Sequence, residues 1–292
     1  NYYIKCSVDD NQGSLVSDSI KVMVRDFSKY SIGTIRAFYS FSGNANDETG
    51  SGNNGIISGA VFTKDRFNNS ASALYFNGTS DKVLVKNSSS LNFQDAITIS
   101  FWMKLDGLPN KEVYVISHGS YDQRFKVSIS NKKLRWTIKT DRAGNGILDL
   151  DSESLIEANK LYYCTVTYNG SDAEVWLNSE LDSFTSWSGK LLTTNFDLTI
   201  AQMLPNDANY NFKGTLDDIR IYDYMLLPKA INALNDLPTN VGDNYKNEPI
   251  PKETKLYANY PNPFNPETEI RYQISKFSKV QLKIYDVLGR EV

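Results

Sequence analysis

The run Asn44-Ala-Asn-Asp-Glu-Thr-Gly-Ser-Gly-Asn-Asn-Gly55 concentrates side-chain oxygens and glycines in one short stretch. A hard cation such as Ca²⁺ takes about six to eight oxygens from carboxylates, amides and backbone carbonyls on a tight loop, and this stretch has that content. It lacks the Asp-x-Asp-x-Asp-Gly order and terminal Glu of an EF-hand. Asp149-Leu-Asp-Ser-Glu153 fails the same test, because Ser154 stands where the turn glycine is needed. Farther along, Asp217 alternates with Ile219 and Ile221, a spacing that predicts a carboxylate on the core side of a strand. Such a group must be ion-paired, hydrogen-bonded or metal-bound. The competing reading is an Asx-rich turn, with Asp217 bonded to loop amides.

Other chemistries find less support. The single histidine, His118, sits in Ser117-His-Gly-Ser-Tyr121 with no Ser–His–Asp spacing around it, and is expected in an exposed turn. The two cysteines, Cys6 and Cys164, lie far apart in alternating runs and read as buried free thiols, so a Cys/His zinc centre is close to excluded. A glycosidase would set acidic residues along one strand across a sugar cleft. No strand pattern shows this, and Asp149, Asp151 and Glu153 lie in a polar stretch that reads as a loop or exposed edge. The expectation is therefore a non-enzymatic chain. With 31 Lys+Arg against 34 Asp+Glu, the net charge of -3 provides no basic field for nucleic acid or an anionic membrane.

Sugar recognition needs aromatic faces to stack on rings, with amides nearby to bond hydroxyls. Tyr121, Trp136, Trp187 and Tyr210 fall near turns or strand ends, where such platforms stand, although core packing is the competing reading for each. Trp102 and Trp176, inside alternating runs, are expected in the core. Arg142-Ala-Gly-Asn-Gly146 reads as a hairpin tip at a binding rim. The Asn-x-Ser/Thr triplets at Asn68, Asn77, Asn87 and Asn169 arise readily by chance in an Asn- and Ser-rich chain.

The elements that must position these residues are strands. Alternating runs recur between turn signals: Ile35 to Phe41, Ala73 to Phe76, Val83 to Val85, Ile97 to Met103, Val113 to Ile116 and Phe125 to Ile129. They continue as Leu134 to Ile138, Leu161 to Tyr168, Ala173 to Leu177, Phe196 to Ile200 and Leu216 to Tyr222. Many short strands with almost no helical period predict an all-β antiparallel sandwich or jelly roll over residues 34–237. One helix is expected after Pro228, where Leu227, Ile231 and Leu234 share a face. Residues 1–25 read as a hairpin ending an earlier domain, 238–256 as a linker broken by Pro249 and Pro251, and 257–292 as the opening of another small β domain. The chain thus reads as a fragment of a longer protein. No apolar run reaches the roughly 18 residues of a membrane span.

Several of these motifs resemble known families. Ala37 to Gly55, Ala73-Leu-Tyr-Phe-Asn-Gly78, Ile97-Thr-Ile-Ser-Phe-Trp-Met103 and Phe212-Lys-Gly-Thr-Leu-Asp-Asp-Ile-Arg-Ile-Tyr222 stand in the order of laminin-G-like, concanavalin A-like jelly-roll domains of secreted bacterial proteins. Tyr162-Tyr-Cys-Thr-Val-Thr-Tyr168 departs from the family's usual Trp-His-His-like entry. The resemblance implies a structural Ca²⁺ held by Asp47, with carbonyls near Gly50 and Asn53, opposite Asp217. Tyr2 to Val24 resembles the last two strands of an Ig/PKD-like repeat. Tyr260-Pro-Asn-Pro-Phe-Asn-Pro266 and the strands after it resemble a type IX secretion sorting domain, which implies export by that machinery to the outer surface or medium of a bacterium. The fold expected is a concanavalin A-like sandwich flanked by partial Ig-like β domains. The function expected is an extracellular module binding carbohydrate or an extracellular protein, with a structural spacer as the alternative and a glycoside hydrolase as a weaker one.

Overall fold

In the computed structural model, residues 33–203 and 209–235 are described in full. The backbones of Tyr2–Asp9 (β1), Leu15–Val22 (β2), Lys255–Leu256 (β18) and Tyr272–Gln273 (β19) are described as strands. The side chain of Cys6 and the Pro-rich motif at 260–266 lie outside the described residues, as does most of the stretch likened to a sorting domain. The chain divides into two compact units, one of residues 1–29 with 245–292 and the other of residues 30–244. In the smaller, β1 and β2 run antiparallel with Tyr2 opposite Val22 and Asp9 opposite Leu15. There β18 pairs antiparallel with β19.

The larger unit holds β3 (Ile35–Tyr39), β4 (Gly55–Ser58), β5 (Val61–Thr63), β6 (Ala73–Asn77), β7 (Lys82–Val85), β8 (Ile97–Leu105), β9 (Val113–His118) and β10 (Phe125–Ser130). It continues with β11 (Lys133–Lys139), β12 (Ile147–Asp151), β13 (Leu161–Tyr168), β14 (Asp172–Leu177), β15 (Glu180–Ser186), β16 (Leu198–Ile200), β17 (Lys213–Tyr222) and α1 (Pro228–Asn235). One sheet has seven strands in the order β12-β11-β10-β9-β16-β7-β4. The other has eight in the order β15-β14-β13-β8-β17-β6-β5 as its main path, with β3 pairing β17 beside it.

The alternation read from the sequence sets the two faces of each sheet. Inward residues such as Phe101, Val127, Trp136, Cys164, Val166 and Ile200 are fully buried in one core between the sheets. Cys164 is a free thiol there, and burial pushes its pKa up. A second apolar cluster lies on the outer face of the eight-stranded sheet. Tyr163, Trp176 and Tyr222 are covered there by Leu226 and by Ile231 and Leu234 of α1, with Trp102 half-buried beside them. Trp102 and Trp176 therefore pack against the helix and not between the sheets. Pro228 opens α1 as expected, while Leu227 stays 43 % exposed just outside it.

One expectation about register fails. Asp217 pairs with Trp102, yet the next paired residue on β17 is Arg220, opposite Ser100. One extra residue on β17 makes a β-bulge, and Asp218 within it takes φ +50. The bulge restores Ile219 and Ile221 to the core while turning Asp217 to the outer face with Trp102. Asp217 is still buried, but on the side opposite to the one its spacing suggests.

Candidate functional site

One end of the sandwich gathers the loops 86–96, 119–124, 140–146 and 187–197. Backbone bonds stitch them: Leu192 N to Lys139 O at 3.0 Å, Asp141 N to Lys190 O at 2.9 Å and Leu191 N to Gln94 O at 2.9 Å. Beneath them, Arg124 is fully buried and donates to Leu91 O at 2.9 Å, to Phe93 O at 2.5 Å and to Leu192 O. Burial lowers its pKa to about 10, so it stays charged and fixes three loop carbonyls at neutral pH. Sequence reasoning missed this residue, since nothing in Gln123-Arg-Phe125 marks an inward guanidinium.

His118 is also not where it was expected. It ends β9 fully buried, 3.1 Å from Asn87 Oδ1 through Nε2, with its ring edge-on to Phe125. Burial, reinforced by Arg124, pulls its pKa down to about 3. A neutral imidazole packed this way braces the loops. Gly119 follows at φ +79, and a Cβ there would strike Thr194 Oγ1 at 2.8 Å and Gln123 Cβ at 2.9 Å. This glycine lets the 119–124 loop close against the 193–196 segment.

Where those segments meet there is a surface cleft of about 340 Å³, lined by Gln123, Thr193, Thr194, Asn195 and Phe196. Phe196 is 43 % exposed and Tyr121, on the same loop as Gln123, is 49 % exposed. Tyr121 is exposed on that loop but is not part of the cleft lining. Phe196, read from the sequence as the start of a strand, instead precedes β16 and turns its ring to solvent. Trp187 belongs to the same end, its indole donating to Thr140 Oγ1 at 3.0 Å with the Arg142 guanidinium 4.3 Å over its ring.

The other two predicted platforms lie elsewhere. Trp136 is fully buried between the sheets, with Nε1 donating to Thr167 O at 3.2 Å, so its ring has no face to offer a ligand. Its position in β11 puts it on the inward side with Val127 and Leu150, which the turn-proximity argument overlooked. Tyr210 packs tilted against Tyr114, with ring centroids 5.2 Å apart, on the outer face of the seven-stranded sheet. That face carries Lys126, bonded to Glu112 and 4.6 Å over the Tyr114 ring. Arg135 there holds Asp151 at 2.6 and 2.9 Å and approaches Asp149 at 3.6 Å. Asp149 and Asp151 share a face, but both are held by one guanidinium, which makes an ion-pair ladder and not an acid facing a base.

The four residues assigned to calcium do not converge. Asp47 Oδ1 accepts from Phe38 N, Thr49 N and Thr49 Oγ1 at 2.8 to 3.1 Å, and its Oδ2 accepts from Asn53 N at 3.1 Å. Asn53 accepts from Ser88 and Ser90 through Oδ1, donates to Arg36 O, and receives Tyr39 OH on its carbonyl at 2.7 Å. Gly50 closes the turn at φ +76. Phe38 sends its N–H to Asp47 and its carbonyl to Glu48 N, so this loop runs along the edge of β3 away from β17. Asp217 instead meets Arg66 Nη1 at 3.1 Å, and Asp218 meets the same nitrogen at 2.8 Å. Among the described residues no group of three or more His, Cys, Asp or Glu is placed to hold a metal. These donors serve the loop and a guanidinium, and do not fit a shared Ca²⁺.

A family model described as the concanavalin A-like lectin/glucanases superfamily matches residues 76–232, more than half of the chain and all but the first strands of the sandwich. The chain belongs to this superfamily. Among solved structures, this concanavalin A-like domain is similar to the binding domain of Paraclostridial Mosquitocidal Protein 1, at 19 % identity and TM-score 0.57, covering 72 % of this chain and 52 % of that one. It is similar to domain 4 of an extracellular arabinanase from Geobacillus stearothermophilus, solved with arabinotriose, at 17 % identity and TM-score 0.57 over 70 % of this chain and 98 % of that one. The binding domain of botulinum neurotoxin serotype G is similar at 18 % identity and TM-score 0.56, over 69 % and 50 % of the two chains. The chain thus spans about half the length of the toxin binding domains. At these identities the likeness concerns the fold. A search of curated proteins found no match.

Proposed function

We propose that this concanavalin A-like domain is an extracellular carbohydrate-binding module that takes its ligand in the cleft between the 119–124 and 193–196 segments. The observation that carries this reading is the lining itself. The exposed ring of Phe196 stands with Gln123 and Asn195, whose side-chain amides make no hydrogen bond within the described residues, and Tyr121 is exposed two residues before Gln123 on the same loop. Sugars present apolar ring faces and hydroxyls together, and stacking surfaces beside free amides match both. About 340 Å³ accommodates a sugar unit. Export through the tail that resembles a type IX sorting domain would put the module outside the cell, where polysaccharides are met.

The test is a glycan array with the full chain, followed by titration of any glycan retained. Phe196→Ala is expected to weaken binding about tenfold or more, the loss of one stacking face. Gln123→Ala should weaken it less, and both variants should melt as the parent does because the side chains are on the surface. If no glycan is retained, the spacer reading gains; if both variants bind as the parent, the cleft is not the site.

A further inference from the structure

The opposite end of the sandwich carries a second cleft with different chemistry. It has a volume of about 350 Å³ and is lined by Pro109, Asn110, Lys111, Asn131 and Lys132. We infer that it is a separate binding site, and that its ligand is a glycan bearing carboxylate or sulfate groups.

Two segments distant in sequence bring the cations together. Lys132 sits in the two-residue turn between β10 and β11, with Asn131 at φ +52 and Lys132 at φ +62. This is the paired left-handed geometry of a tight hairpin, which leaves the backbone little freedom. Ile156 N donates to Lys132 O at 2.7 Å and ties the turn to the 152–160 loop. Lys111 comes from the β8–β9 connection, where Pro109 fixes its own φ two residues earlier.

The lining holds no carboxylate. Glu112, beside Lys111 in sequence, is turned away onto Lys126 and onto Ser128 Oγ at 2.7 Å. Glu157 is engaged by Lys160 at 2.7 Å. Neither Lys111 nor Lys132 forms an ion pair among the described residues, and the side chains of Asn110 and Asn131 make no hydrogen bond there. Two unpaired ammonium groups and two free amides around one concavity favour an oxyanion with hydroxyls beside it. A cleft of this size suits one acidic sugar unit. The overall charge of -3 does not oppose this, because screening confines the interaction to about 10 Å.

The experiment titrates the full chain with polygalacturonate, dextran sulfate and uncharged dextran at low and high salt. The expected result is binding of at least one polyanion at low salt, none of dextran through this cleft, and loss of polyanion binding by about tenfold or more at 0.5 M salt. Lys111→Gln with Lys132→Gln should weaken polyanion binding at least about tenfold, while Lys64→Gln with Lys229→Gln, away from the cleft, leaves it intact. Binding to polygalacturonate alone identifies the group as carboxylate, and binding to dextran sulfate alone identifies it as sulfate. Absence of polyanion binding at low salt overturns the inference. So does equal weakening by the two double variants, which would mark unspecific attraction. Phe196→Ala, which tests the other cleft, should leave polyanion binding unchanged, so the two readings fail separately.

Discussion

On the outer face of the seven-stranded sheet, Arg135 spans Asp149 and Asp151 in an open ladder, with Asp149 exposed and the other two half-buried. On the outer face of the eight-stranded sheet, Arg66 spans Asp217 and Asp218 with all three side chains at most 5 % exposed. Each cluster sets one arginine between two aspartates, and the covered one adds Arg220, fully buried with Nη2 3.5 Å from Asp218 Oδ1. The larger difference is the cover. Helix α1 and the 64–72 loop lie over the second face, and Arg66 is held between the rings of Phe67 at 4.5 Å and Trp102 at 4.7 Å. Water can replace either partner of the open ladder, whereas in the covered one it cannot reach Asp217 when Arg66 is lost. An arginine between two aspartates thus holds a surface loosely in one place and fixes a fold in the other.

The sharpest way to break this contrast is to remove the guanidinium from each face. Arg66→Ala strips Asp217 of its guanidinium and leaves Asp218 with Arg220 alone, and should cost about 3–5 kcal/mol in urea unfolding at neutral pH. A smaller loss, about 2–4 kcal/mol, is expected from Ile231→Ala, which opens a void where α1 closes that face.

The next effect appears as a slope with pH. Burial, with the neighbouring Asp218, raises the Asp217 pKa to about 8, while an unfolded aspartate titrates near 3.9. Between those values the folded chain holds a proton the unfolded chain has released, so stability falls as pH rises through that window. Melting temperature should show this decline from about pH 6.5 to 8, where no His118 proton opposes it, and Asp217→Asn should flatten it. His118 acts at the acid side. It stays neutral in the fold down to about 3 while the unfolded imidazole charges near 6.5, so below about 6.5 it lowers stability as pH drops and offsets the Asp217 slope; His118→Gln should extend the Asp217 decline to lower pH. The smallest effect belongs to Arg135→Ala, with a loss of less than about 1 kcal/mol. Equal losses for Arg66→Ala and Arg135→Ala would show that the cover has no energetic role.

The sequence made most of the sandwich legible, and what it hid follows a physical rule. The strands β4, β5, β12 and β15 escaped the alternation reading, and these four are the edges of the two sheets. Edge strands bury neither face fully, as the half-exposed residues of β5 and β12 show, so no clean period is imposed on them. The bulge at Asp217-Asp218 was invisible for a related reason. Two adjacent acids give no cue to which one is the extra residue, and a slip of one inverts the face. Near the candidate site the exposure of Tyr121 was legible from its place in a turn. Phe196 was not, because its apolar neighbours continue the pattern of a strand. The misplacement of His118 and Trp136 shows that nearness to a turn in sequence does not measure exposure when loops fold back over strand ends.

Cys164 lies at the centre of β13 with neighbours on both sides, inaccessible to any reagent in solution while the sheets are closed. In a Cys6→Ser background its alkylation would therefore count openings of the sandwich, one modified thiol for each molecule that has parted its sheets. The domain carries its own stopwatch, one that reads how long the native state lasts rather than how favourable it is.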